Sequence, residues 1–231
     1  MKNLNLFQVN TMRKKTTPPL VKGGIKGGWG AKAALLFILL SLISACASRP
    51  TGPLVLAPVG EAEEGYSSVE RQWVFEHRAV FIKAGHLTMT DPRPASGLID
   101  MLLGSGYTLV RMEIKNGSKA RVIFNPSLTA LMDDSMGYFK PLDYSDIYEM
   151  AGENPEKTGF LKDVRRLFYD LTATVEPGET SSRILAFRPL SRNAGAAELI
   201  IKDLYIGTDA LNLRFPFALK PAPVTPQGHQ H

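Results

Sequence analysis

The chain of 231 residues has one cysteine, Cys46. A lone thiol closes no intramolecular disulfide, so no cystine framework holds this fold. It also excludes metal centres that draw on clustered thiolates. Histidine is scarce as well: there are four, and His229 and His231 fall in the last three residues. Only His77 and His86 remain to serve catalysis in the body of the chain. Ser105, in "LGSGY", lacks the G-x-S-x-G setting of a nucleophile elbow and reads as a loop residue behind a short helix. No apolar run reaches the roughly 20 residues of a spanning helix. Acidic residues are absent from the first 45 positions.

Those 45 positions carry Lys2, Arg13, Lys14, Lys15, Lys22, Lys26 and Lys32 ahead of a run from Ala33 to Ala45. The run is thirteen residues long and apolar apart from Ser41 and Ser44. A basic segment followed by a short apolar core reads as a secretory signal peptide, whose hydrophobic region spans roughly 7–15 residues. Met1 and Met12 are both open as its start. The glycines of "TTPPLVKGGIKGGWG" form no phosphate cradle, because no strand precedes them.

The run ends in Ile43-Ser44-Ala45-Cys46. This resembles the lipobox of bacterial lipoproteins: an aliphatic residue, two small residues, then cysteine. The resemblance implies that residues 1–45 are cut off, that the Cys46 thiol carries a diacylglyceryl group, and that the new amino terminus is acylated. Each buried CH₂ contributes about 0.8 kcal/mol and one myristoyl chain holds a protein only marginally, whereas two or three chains make attachment effectively permanent. Membrane lipid would thus be the first partner. Ala47 and Ser48 follow, with no aspartate at the second position. That resembles the outer-membrane pattern of enteric lipoproteins, and so implies the periplasmic face of the outer membrane.

Charge changes sign once the leader is set aside. The whole chain has 27 basic and 22 acidic residues. With seven bases and no acids before Cys46, 20 bases face 22 acids in the remainder. The basic balance belongs to the leader, and no nucleic-acid partner follows from it.

Residues 46–68 are rich in Pro, Gly and Glu and show no periodicity, which predicts a flexible tether behind the lipidated cysteine. Residues 220–231 read as a disordered tail. Between them, residues 69–219 speak mainly in period two. In "LNLRFPFAL", Leu211, Leu213, Phe215 and Phe217 share one face, and Pro216 confines the strand to a sheet edge or end. Val110, Met112 and Ile114 alternate with Arg111, Glu113 and Lys115. Asn116-Gly117 then predicts a tight hairpin into a strand from Arg121 to Phe124. "SLTALMDDSMGYF" sets Leu128, Ala130 and Met132 on one face. "LTATVEPGETSSRILAF" predicts two paired strands about a type II turn at Pro177-Gly178. "AELIIKDLYI" is a further strand. Seven or eight short strands with regular turns predict a mainly β fold, an antiparallel β-sandwich.

Two segments break the rhythm. "ASGLIDMLLGSG" predicts a short helix capped by Ser96 and stopped at Gly104. Residues 143–169 predict a helical insertion, with Asn154 as cap, Pro155 at the first position, and a stripe of Phe160, Leu161, Val164, Leu167 and Phe168.

With "IKNGSK", "LMDDSMG", "VEPGE" before "ILAF", and a terminal "LRFPF", the region 78–219 resembles the immunoglobulin-like domains of bacterial envelope lipoproteins. The resemblance implies a non-catalytic binding or assembly module with an envelope protein as partner; no cofactor is expected. Two other readings stay open. A hydrolase would need paired carboxylates, and Asp133-Asp134 is the adjacent pair, at a position where turn chemistry also uses Asp. A metal carrier would use His229 and His231, or His86 and Met89, each an incomplete shell; Met101, Met112 and Met132 suit core filling. Lys157, Lys162, Arg165 and Arg166 form a basic helix face, a solvated surface or a contact for anionic head groups, diluted by Asp163.

Overall fold

The structure, a computed structural model, describes residues 54–60, 64–152 and 156–221. The lipobox (Ile43, Ser44, Ala45, Cys46), the cap pair Asn154-Pro155, and His229 and His231 lie outside the described residues.

Alternation sets the strands. Among the described residues these are β1 (Leu54–Pro58), β2 (Tyr66–Val69), β3 (Gln72–His77), β4 (Val80–Leu87), β5 (Thr108–Asn116) and β6 (Val122–Phe124). There follow β7 (Thr129–Asp133), β8 (Tyr138–Phe139), β9 (Ala173–Val175), β10 (Thr180–Phe187), β11 (Ala196–Ile206) and β12 (Asp209–Pro221). Among the described residues three helices interrupt them: α1 (Gly97–Gly104), α2 (Tyr144–Ala151) and α3 (Lys157–Leu167).

The strands form two antiparallel sheets. One runs β1-β12-β11-β6-β9, with β7 beside β6 on the same edge of β11 and β8 hydrogen-bonded to β7. The other runs β10-β5-β4-β3-β2. Leu213, Phe215 and Phe217 of β12 point inward to meet Ile82, Val110, Met112 and Ile114 of the opposite sheet, as the alternation predicts. Full burial of each such side chain stabilises by about 1.5–3 kcal/mol. The fold is a mainly β sandwich.

The helices make a third layer. Leu87, Leu109, Ile184 and Ala186 turn away from the sandwich interior and pack under Leu98 and Ile99 of α1, Ile147 of α2, and Phe160 and Val164 of α3. Ile184 to Phe187 are therefore all buried, two beneath the helices and two in the sandwich. Ser96 caps α1 as predicted, its Oγ accepting from the Ile99 amide at 3.3 Å. The 143–169 insertion is two helices, with α2 closed by a reciprocal capping box between Asp143 and Asp146.

Several sequence expectations give way to long-range pairing. Residues 54–58 and 66–68, expected as tether, are strand, because β1 zips onto Phe217–Pro221 and β2 pairs with β3. Val55 and Leu56 are buried, and that apolar contact overrides a proline-rich composition. For the same reason Lys220 and Pro221 belong to β12 and not to the tail. Pro216 lies in an interior strand, one residue past the last β1 pair at Phe217; its carbonyl accepts from the Val59 amide at 3.2 Å and from Trp73 Nε1 at 2.6 Å. In β7 it is Leu131 that enters the core, while Met132 is half-buried and Leu128 exposed, because the 3₁₀ turn Pro126–Leu128 resets the phase.

The two turn signatures do not make hairpins. Gly178 has φ +84 and the Glu179 amide donates to the Glu176 carbonyl at 3.0 Å, so the type II turn is present. It carries the chain from one sheet to the other: β9 pairs with β6 and β10 with β5. Asn116-Gly117 crosses likewise, from β5 towards β6. Gly117 is needed for close approach, since a Cβ there would lie 2.8 Å from the Ala79 carbonyl oxygen.

Candidate functional site

A cavity of about 400 Å³ opens at one end of the sandwich. Its walls come from six stretches distant in sequence: Leu54–Leu56 of β1, Arg71, the end of β4 through Thr90, the α1–β5 link, residues 189–192 between β10 and β11, and Leu219 of β12. Most of this lining is apolar, with a few polar groups converging on it, the usual composition of a small-molecule site.

His86 is a half-buried titratable group on the wall. Its Nδ1 accepts from the Leu56 amide at 3.1 Å, a bond between the two sheets. Because Nδ1 is the acceptor, the neutral ring carries its proton on Nε2. Burial pushes the His86 pKa down from 6.5 to about 4; Asp91 opposes that shift and Arg71 adds to it. The loop behind it is fixed. Asp91 Oδ2 accepts from the Thr88 amide and hydroxyl, each at 2.7 Å, and Asp91 forms an ion pair with Arg71. Burial raises the Asp91 pKa, but the Thr88 hydrogen bonds and the Arg71 charge outweigh it and hold the carboxyl below its usual range.

The His86 shift fixes a direction for acid stability. Below pH 6.5 the unfolded chain takes up a proton that the folded chain refuses until about pH 4. The stabilisation from neutral His86 is complete above 6.5 and lost as the pH falls towards 4. Urea titrations of wild type and His86→Gln should differ by about 3 kcal/mol in how much stability each loses over that window. Parallel losses would place the acid sensitivity elsewhere.

The carboxylate pair is engaged in turn chemistry. Asp133 Oδ1 accepts from the amides of Ser135 at 3.1 Å and Gly137 at 2.7 Å, while Oδ2 accepts from the Ser191 amide at 2.9 Å. Burial tends to raise its pKa, and these bonds more than compensate, holding it low. Asp134 accepts from the Gly195 amide, 3.1 Å from each oxygen. The two carboxylates thus staple the β7–β8 turn to the β10–β11 link.

The basic face is mostly spoken for. Lys157 Nζ lies 3.5 Å from the Tyr148 ring centroid and donates to the Gly152 carbonyl at 3.1 Å. The Arg165 guanidinium stacks over Tyr144, 5.4 Å from its centroid, and Arg166 pairs with Asp163 at 2.9 Å. Lys162 is exposed. Met89 and His86 line one cavity, but Met89 is 54% exposed at its mouth. Among the described residues no group of three or more His, Cys, Asp or Glu side chains is placed to hold a metal, and no helix is long and apolar enough to cross a membrane.

Sequence reasoning named His86 without its cavity and missed Arg71, Asp91 and Arg192 altogether. No local signal marks them, because the site exists only where distant segments meet.

No family model and no curated protein matches the chain. Among solved structures it is similar to the yjhA protein from Bacillus subtilis, at 8% identity over 61% of this chain and 93% of that chain, with a TM-score of 0.35. A likeness of that size carries no argument about function.

Proposed function

We propose that the chain is a bacterial envelope lipoprotein, anchored through acylated Cys46 at the periplasmic face of the outer membrane, whose sandwich domain is a non-catalytic binding module. The anchor rests on the sequence: basic leader, short apolar core, and Ile43-Ser44-Ala45-Cys46. The binding role rests on one observation, the apolar cavity at the end of the sandwich. The engagement of Asp133 and Asp134 with backbone amides weighs against the carboxylate-hydrolase reading. An envelope protein remains the expected macromolecular partner, and the exposed Lys162 with its neighbours is where an anionic surface would be met.

Mass spectrometry of the amino-terminal peptide from the membrane fraction tests the anchor. A peptide beginning at Cys46 with diacylglyceryl and acyl additions is expected. One that begins upstream of Cys46 and keeps a free thiol overturns it. Crosslinking in intact cells, read in the same preparation, would recover a recurrent envelope partner if the domain assembles with one.

A further inference from the structure

We infer that the cavity takes the hydrocarbon chain of an anionic single-chain lipid, with its acidic head held between Arg192 and His86 Nε2. Three observations carry this. The walls are built from Leu54, Val55, Leu56, Leu103, Leu190 and Leu219, which offer a chain contact but little to a sugar or nucleotide. About 400 Å³ lies near the small end of ligand sites, which run from about 300 to 1,000 Å³, and suits one chain better than two.

The polar groups are asymmetric. Arg71 is tied to Asp91. Arg192 is exposed at the rim and makes no hydrogen bond or ion pair among the described residues. His86 spends Nδ1 on the Leu56 amide, and its Nε2–H has no protein acceptor among the described residues. An unpaired cation and an unused imidazole donor, with the hydroxyls of Tyr107 and Thr108 on the same wall, match a carboxylate or phosphate head on an apolar chain.

The third observation is position. Leu54 (39% exposed) and Met89 (54% exposed) form an apolar lip. Leu54 is eight residues from Cys46, a stretch that spans at most about 28 Å. Given the proposed anchor, on which this point alone rests, the lip lies within that reach of the leaflet that holds the acyl chains.

Native mass spectrometry of the full chain, extracted in a mild nonionic detergent, tests the assignment with three probes: dodecanoic acid, dodecanol and lauroyl lysophosphatidylglycerol. One saturable equivalent of dodecanoic acid should bind, with dodecanol at least roughly tenfold weaker. Arg192→Glu should weaken the acid by roughly tenfold and leave the alcohol unchanged. Leu103→Trp, which fills the cavity, should weaken both, with thermal unfolding confirming that each variant is folded. Stronger lysophosphatidylglycerol binding would make the source a membrane lipid; stronger dodecanoate binding would make it a free fatty acid. No bound acid, equal binding of acid and alcohol, or unchanged binding in both variants would overturn the inference. The same spectrum reports the mass of the amino terminus. An acylated Cys46 with no bound probe defeats the ligand and spares the anchor; an unacylated chain that binds the acid does the reverse.

Discussion

Asn116→Asp should cost the domain about 4 kcal/mol at neutral pH, and the variant should become more stable as the pH falls. Asn116 is fully buried and every polar group it has is used. Its Nδ2 donates to the Ala120 and Val175 carbonyls, both at 2.8 Å. Its Oδ1 accepts from the Ser118 amide at 3.0 Å and hydroxyl at 2.7 Å. Its backbone amide donates to the Glu179 carbonyl, and its own carbonyl accepts from Gly178. A carboxylate there would set a charged oxygen against two carbonyls with no water to screen it. Its folded pKa would rise above the unfolded value of about 3.9. Stability would then be full below that value and lost as the pH climbs through the raised pKa. Denaturant midpoints between pH 4 and 8 measure this, and a variant that is as stable as wild type at pH 8 would refute it. For a domain with a typical 5–15 kcal/mol in hand, the loss is a large fraction.

Asp133→Ala should cost about 3 kcal/mol, because three backbone amides lose their acceptor at a buried site. The wild-type carboxyl titrates below its ordinary range, so its contribution is complete above pH 4 or so and disappears as the pH falls through the depressed pKa. In Asp133→Ala that part of the acid sensitivity should vanish. The bond to Ser191 also fixes the link that carries Arg192. Loosening it should weaken occupancy of the cavity while the remaining fold survives in mild conditions. Unchanged denaturant midpoints would show that water replaces the carboxylate at no cost; unchanged occupancy would show that the link is held without it.

Both residues were visible in the sequence: Asp133 in the turn role that it keeps, Asn116 as a hairpin residue, which it is not. Asn116-Gly117 has the composition of a hairpin turn, and Asp133-Asp134 that of a turn or a catalytic pair. What they do follows from neighbours far along the chain: Val175 and Glu179 for the first, Ser191 and Gly195 for the second. His86 was legible as one of two histidines in the domain. Its tautomer and its low pKa come from Leu56, thirty positions earlier, and from burial that no local pattern encodes.

By itself the sequence determined the period-two strands β5 and β12, the capped helix α1, the type II turn at Pro177-Gly178 and the apolar stripe of α3. Each depends on residues within a few positions of one another, where backbone preference and side-chain periodicity act directly. Tertiary structure alone decided that the two turn signatures cross between sheets, that residues 54–58 join β12, and that three helices cover one outer face. It also assembled the cavity. Those outcomes depend on which apolar surfaces meet after the chain closes over long separations, and burial rewards area without regard to sequence distance.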